Sequence, residues 1–259
     1  MKTNFHTHCC RCKHAQGTEA DYVRAAIAAG LEQLGFSDHG PFPDVDYGLR
    51  MSCEELQEYL DAIDSLKKEY LSQIVLWKGL EIEYLPEKAG YYESLLSERG
   101  LDYLLLGEHF YRHGDGQIQN IYQAKNTEEY VIYARNLAEG MKTGFFQAVV
   151  HPDIFTINQY AWDFNCDRAT DLIIDAAAAT DTVLEYNANG IRRGVKDYPD
   201  GPRYQYPHRR FWEQAAQAGV RVMVGSDCHE PSQVWDGAME QAYEDLEKLG
   251  IEPLTKGFL

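Results

Sequence analysis

Short apolar runs recur along the chain, each separated from the next by an amphipathic stretch of helical period. The runs predict strands at residues 4–7, 31–37, 74–82, 101–106, 145–150, 182–186 and 220–225. The intervening stretches predict helices. The first, 18–30, opens at Thr18 with acidic residues behind it and closes at Gly30. A second begins at Ser52, with Glu55 three residues on, and runs to 71; a third covers 89–99 and stops at Gly100. Further helices are expected at 127–140, 168–179, 207–218 and 231–249. Strands that alternate with helices pair in parallel through crossovers, and a chain of this length closes them into an α/β barrel. The competing doubly wound sheet would carry a glycine-rich phosphate loop, which this sequence lacks. No linker, repeat or composition break divides the 259 residues, so residues 1–259 are expected to form a single domain.

Metal-type ligands stand where the strands end. Phe36-Ser37-Asp38-His39, Leu80-Glu81, Leu106-Gly107-Glu108-His109, Val149-Val150-His151 and Val224-Gly225-Ser226-Asp227-Cys228-His229 each carry an apolar run into His, Glu or Asp, and the chain opens with Asn4-Phe5-His6-Thr7-His8. Residues two apart on a strand share a face, so His6 with His8, and Asp227 with His229, can close on one centre. A single histidine after a strand is usually a hydrogen-bonded structural residue. Here seven of the nine histidines fall in these segments or just behind the first, at His14. Barrel chemistry sits at the carboxyl ends of the strands, and a divalent cation is the simplest common partner for buried imidazoles and carboxylates.

The charge balance of 24 basic against 41 acidic residues, net −17, matches a polyanion poorly and argues against nucleic acid as a partner. The opening Met1-Lys2-Thr3-Asn4-Phe5-His6 has no apolar signal region and no apolar run is long enough to span a bilayer, so a soluble, cytoplasmic protein without membrane contact is expected. Six cysteines are too few for a disulfide scaffold. Cys9, Cys10 and Cys12 are expected as reduced thiols at the edge of the site, since their C-x-x-C spacing has no second pair.

These residues carry a family resemblance. His6-Thr7-His8, then Cys12-Lys13-His14-Ala15 with Gly17, resembles the first motif of the PHP superfamily in its histidinol-phosphate phosphatase branch; Phe36-Ser37-Asp38-His39-Gly40-Pro41 resembles the second. Gly79-Leu80-Glu81, Gly107-Glu108-His109-Phe110, His151-Pro152-Asp153, Asn187-Ala188-Asn189-Gly190-Ile191-Arg192 and Gly225-Ser226-Asp227-Cys228-His229 follow in order, so the resemblance spans nearly the whole chain. It implies a distorted (β/α)7 TIM-like barrel holding three divalent transition-metal ions, of zinc, iron or manganese. The implied ligands are His6, His8, Glu81 and Asp227 for the first ion, Glu81, His109 and His151 for the second, and His14, His39 and His229 for the third. Glu81 would bridge, with Glu83 its competitor on the same strand face.

The implied reaction is hydrolysis of a small phosphate monoester, histidinol phosphate, by direct attack of metal-bound hydroxide. No thiol or aspartate nucleophile motif competes with that route, and no side chain is assigned as the proton donor to the leaving group. The resemblance points to Arg192 for the phosphate, with Arg193 a weaker candidate, Arg203 a surface residue and His113 a weak substrate contact. Asp38 and Asp153 are expected to orient ligand histidines, and His208 to lie on the surface. Glu108 departs from the small residue usual in the family and places a carboxylate near the metals. Alternatives are a PHP phosphoesterase for nucleotides or other phosphoesters, a metal-stabilised binding module without activity, and a metal-dependent amidohydrolase.

Overall fold

The structure is a computed structural model that describes residues 1–256. The chain runs β1 (Thr3–Asn4), α1 (Glu19–Ala28), β2 (Gln33–Phe36), α2 (Glu55–Glu69), β3 (Val75–Ile82), α3 (Ala89–Ser97), β4 (Tyr103–Leu106), β5 (Phe110–Arg112), β6 (Ile118–Asn120) and α4 (Glu128–Lys142). It continues through β7 (Ala148–Val149), α5 (Phe164–Thr180), β8 (Val183–Asn187), α6 (Ala188–Arg192), β9 (Val195–Lys196), β10 (Arg203–Tyr204), α7 (Arg209–Ala218), β11 (Val222–Gly225) and α8 (Gly237–Leu249). Seven strands form one parallel sheet in the order β1-β2-β3-β4-β7-β8-β11. Its two edges meet at one parallel bridge, Thr7 with Cys228, where the His8 N–H donates to Cys228 O at 3.1 Å. The result is a distorted, nearly closed (β/α)7 barrel, as the alternation of runs predicts.

Register decides what faces inward. Glu81 pairs with Leu105, Leu105 with Ala148, and Met223 with Glu185. Register partners lie on one face of a sheet. Phe5, Tyr103, Leu105, Ala148, Val150, Val183 and Met223 therefore plug the barrel interior as a small apolar cluster, leaving Glu81 and Glu185 at the top of that plug. The alternate residues, among them Leu80, Leu104, Leu106, Leu184 and Val224, join the larger core beneath the helices.

Departures from the sequence reading have local causes. Helix α2 starts at Glu55, three residues past the expected cap Ser52, and the two are tied as the spacing implies: the Glu55 carboxylate accepts from the Ser52 N–H at 2.7 Å and the Glu55 N–H donates to Ser52 O at 3.1 Å. Helix α5 starts at Phe164, earlier than expected, because Asp163 accepts from the N–H groups of Asn165 and Cys166. Helix α8 starts later, at Gly237, capped in the same way by Asp236. The hairpins β5–β6 and β9–β10 and the short α6 carry no periodic pattern and were not predicted.

Candidate metal centre

All nine predicted ligands converge at the carboxyl ends of the strands. His6 and His8 follow β1, His39 follows β2, Glu81 lies near the end of β3, His109 follows β4, His151 follows β7, and Asp227 and His229 follow β11; His14 comes from the loop behind His8. Glu81 is the hub. Its Oε2 lies 3.1 Å from His39 Nδ1 and 3.4 Å from both His6 Nε2 and His8 Nε2; its Oε1 lies 2.7 Å from His151 Nε2 and 3.5 Å from His109 Nε2. The neighbouring strand leaves room for it only because residue 107 is glycine, whose Cβ would sit 2.1 Å from Glu81 Oε1. His151 and Asp227 hold φ of 34° and 46°, left-handed values that non-glycine residues adopt at a cost of roughly 1–3 kcal/mol and that cluster at functional sites.

Three observations test whether these groups fit cations. His14 Nδ1 faces Cys12 O at 2.8 Å and His229 Nδ1 faces Asp227 O at 3.2 Å; a carbonyl only accepts, so both Nδ1 atoms carry hydrogen. In the neutral rings both Nε2 atoms are then lone pairs, yet they face each other at 2.9 Å. His6 and His8 likewise have their Nδ1 atoms on Glu185 and Asp38 and their Nε2 atoms 3.1 Å apart, so that without a cation a ring proton must lie between them. Opposed lone pairs at such distances repel, whereas two nitrogens each about 2.0–2.1 Å from one cation fit them. Second, Glu81 Oε2 is buried without a well-formed hydrogen bond. Third, five carboxylates (Asp38, Glu81, Glu83, Glu185 and Asp227) are buried here against one guanidinium, Arg50, so the rest of their counter-charge must come from protonated imidazoles or from cations. Buried negative charge of that size needs counter-charge, and divalent cations would supply it in place of the ring protons. The residues fit divalent metal.

The rings of His6, His8 and His109 are braced from behind. Glu185 accepts from His6 Nδ1 at 2.7 Å, Asp38 lies 3.4 Å from His8 Nδ1, and Glu83, held bidentately by Arg50 at 3.0 and 3.1 Å, lies 3.4 Å from His109 Nδ1. Burial alone would raise the Glu81 and Asp227 carboxyls, but the surrounding imidazoles outweigh it and hold both well below the usual range. Burial disfavours charge on His8 as well, and there Asp227 and Asp38 prevail, lifting it to about 9. Glu185 and Arg50 escaped sequence reasoning, whereas a supporting role for Glu83 was the expected alternative to ligation. A lone acid inside the apolar run Val183-Leu184-Glu185-Tyr186 was the available signal, the same one that marked Glu81.

A cavity of about 420 Å³ opens over the cluster, lined by His14, His39, His109, Asp227 and His229 and by Tyr47, Phe110, Tyr122, Asn189, Arg193 and Tyr206. Several expectations are corrected at this point. Arg192 does not face it: its guanidinium binds Asp236 at 2.8 and 3.2 Å and Ser226, locking α6 to the start of α8. Arg193 does line it, over the Tyr206 ring at 5.7 Å, and has no carboxylate within ion-pair distance among the described residues. His113 sits in the β5–β6 turn beside Asp115, outside the cavity lining. Arg203 stacks on Tyr198 at 3.6 Å and donates to backbone carbonyls, so it is structural rather than a solvated surface residue.

Glu108 points away from the cavity, accepting from the Tyr84 N–H at 2.9 Å, and its burial pushes the carboxyl well above the usual range. Asp153 orients no ligand ring; it accepts from the His208 N–H at 2.6 Å and from Trp212 Nε1 at 3.2 Å. His208 is buried, stacked on Trp162, and its ring accepts from the Arg210 N–H. All six cysteines are free thiols; Cys9 donates to Asp38 at 3.0 Å, and Cys12 Sγ lies within 4.8 Å of ligand atoms of His8 and His229.

A seven-stranded α/β barrel whose strand ends converge on a divalent-metal cluster defines a class of metal-dependent enzyme folds. Residues 4–189 match the PHP domain, and the chain belongs to that family. It is 29% identical over 237 residues to a probable histidinol-phosphatase of Deinococcus radiodurans, covering 88% of this chain and 86% of the relative, and 23% identical to the histidinol-phosphatase of Bacillus subtilis, covering 90% and 96%. Among solved structures, the fold superposes with a TM-score of 0.73 on histidinol phosphate phosphatase from Lactococcus lactis in complex with zinc, L-histidinol and phosphate, at 20% identity and coverage of 98% of this chain and 95% of that one.

Proposed function

We propose that this single-domain chain is a cytoplasmic phosphatase that hydrolyses histidinol phosphate to histidinol and phosphate, with three divalent cations of zinc, iron or manganese. The observation that carries this reading is the convergence of five imidazoles on Glu81, open to a cavity of small-molecule size that holds one uncommitted arginine. Two relatives of nearly full coverage named for histidinol phosphate supply the substrate.

The residues divide into roles. His6, His8, Glu81 and Asp227 hold one cation, Glu81, His109 and His151 a second, and His14, His39 and His229 a third; these last three form one cluster of ligand atoms within 4.8 Å. Cations so held would supply the charge that neutralises phosphoryl oxygens and acidifies an attacking water. Arg193, rather than Arg192, offers its guanidinium fork to the phosphate, while Tyr47, Phe110 and Tyr122 line the space for the leaving alcohol. No helix among the described residues is long and apolar enough to cross a membrane.

The test is metal analysis of freshly purified protein together with phosphate release from histidinol phosphate, nucleoside monophosphates and sugar phosphates. Metal present with preference for histidinol phosphate supports the reading. A broad or nucleotide preference replaces the substrate, and a metal-loaded protein that releases no phosphate from any of them overturns catalysis.

A further inference from the structure

Glu185 stands at a junction that no ligand assignment explains. It is fully buried at 0% exposure on the inward face of β8, and residue 225 on the adjacent strand must be glycine to admit it, since a Cβ there would fall 1.6 Å from Glu185 Oε1. Its two oxygens divide their work. Oε1 accepts from His6 Nδ1 at 2.7 Å; Oε2 accepts from the His151 backbone N–H at 2.9 Å and from the Asn187 amide at 2.8 Å. The same Asn187 amide donates to Asp227 Oδ2 at 3.2 Å.

One carboxylate thus sets the ring of His6, pins the left-handed backbone that aims His151, and through Asn187 steadies Asp227. We propose that Glu185 is a positioning residue that couples the two deep cations, so that they are gained and lost as a pair while the third is held independently. The inference rests on the metal-site reading above. It goes beyond it in naming a residue outside the ligand set and a cooperative unit within that set. The third cluster, His14, His39 and His229, makes no hydrogen bond or ion pair with Glu185, and the His14 and His229 rings are braced by backbone carbonyls.

Glu185→Gln keeps the shape but cannot satisfy both sides. Its oxygen can serve either His6 or the pair of N–H donors, and its amide then faces a donor on the other side. Loss of such an outer partner weakens metal binding by roughly 10–100-fold. The experiment loads wild type, Glu185→Gln and Glu185→Asp with Zn²⁺, dialyses each against a graded chelator series, and counts zinc per chain, with circular dichroism as the check on folding. Wild type should retain zinc to the highest chelator levels. Glu185→Gln should release two ions together at 10–100-fold lower chelator strength and keep the third at its wild-type threshold. Glu185→Asp, which keeps the charge, should fall between them.

Equal release curves for all three proteins, or release of one ion singly, would overturn the coupling. A wild type that binds no zinc would instead overturn the metal-site reading. If Glu185→Gln does not fold, Glu185→Asp carries the same comparison.

Discussion

The floor and the mouth of the site use the same ligand, histidine, under opposite conditions. On the floor, His6, His8 and His151 with Glu81 and Asp227 are at most 5% exposed, and His6 and His8 are backed by the buried carboxylates Glu185 and Asp38. At the mouth, His14 is exposed and His229 and His39 half-buried, and the first two are backed only by the peptide carbonyls of Cys12 and Asp227. A carboxylate behind an imidazole raises its basicity and adds negative charge in a place where water cannot screen it; a carbonyl only orients the ring. The difference teaches that the floor has the greater need of positive charge, and the mouth the lesser. The mouth also lines the cavity, so on the function proposed above a cation held there would be the one nearest the substrate.

The sharpest way to break this contrast is at Glu81, whose two oxygens meet five imidazoles. Glu81→Gln should empty the floor and lower kcat/KM by well over the ~100-fold that loss of an outer partner costs, with the mouth cation retained. Metal counting alongside kinetics checks it. If the variant kept full zinc occupancy, the hub role would be wrong.

A smaller effect separates the two neighbouring arginines. Removal of a charge-assisted contact to phosphate costs about 1.5–3 kcal/mol, so Arg193→Ala should lower kcat/KM by roughly 10–100-fold, chiefly through KM, with metal content unchanged. Arg192→Ala should leave KM close to wild type and act on stability, because its partner Asp236 caps α8; a loss near 1 kcal/mol lowers Tm by about 2–4 °C. Steady-state kinetics and thermal melts on both variants decide it, and a swap of the two phenotypes would return the phosphate role to Arg192.

What the sequence discloses follows the same division. Strand-end ligands are legible because a histidine or acid that breaks an apolar run at the carboxyl end of a barrel strand has few other reasons to be there. The braces are harder. Glu185 lies within β8 and Glu83 one residue past the end of β3, and only the folded sheet shows which ligand each one meets. Arg192 and Arg193 differ by one position on the short α6, and their directions are decided by Asp236, 44 residues on. Glu108 stayed open in the sequence for a related reason: only the fold shows that Gly107 makes room for Glu81 while Glu108 turns outward to Tyr84, the structural role among those the sequence allowed.

The mildest test uses protons in place of mutations. In the cation-free protein, burial disfavours a charge on His8, but Asp227 and Asp38 outweigh it and hold the ring at about 9, above its ordinary 6.5. That raised value stabilises the cation-free fold fully below pH ~6.5, and the stabilisation fades as pH rises through about 9. A cation entering the floor must therefore expel this proton at pH 7, and its affinity should climb by up to about tenfold per pH unit for each proton displaced until pH 9 is reached. His229 is pushed the other way, to about 3, by burial and by the neighbouring His8 charge, so it has no proton to lose in this range. Calorimetric titration of the metal-free protein with Zn²⁺ at pH 7, in two buffers of different ionisation heat, should show proton release while the floor fills and little as the mouth fills. Equal proton release at both steps would mean that the carboxylate braces do not set the floor apart.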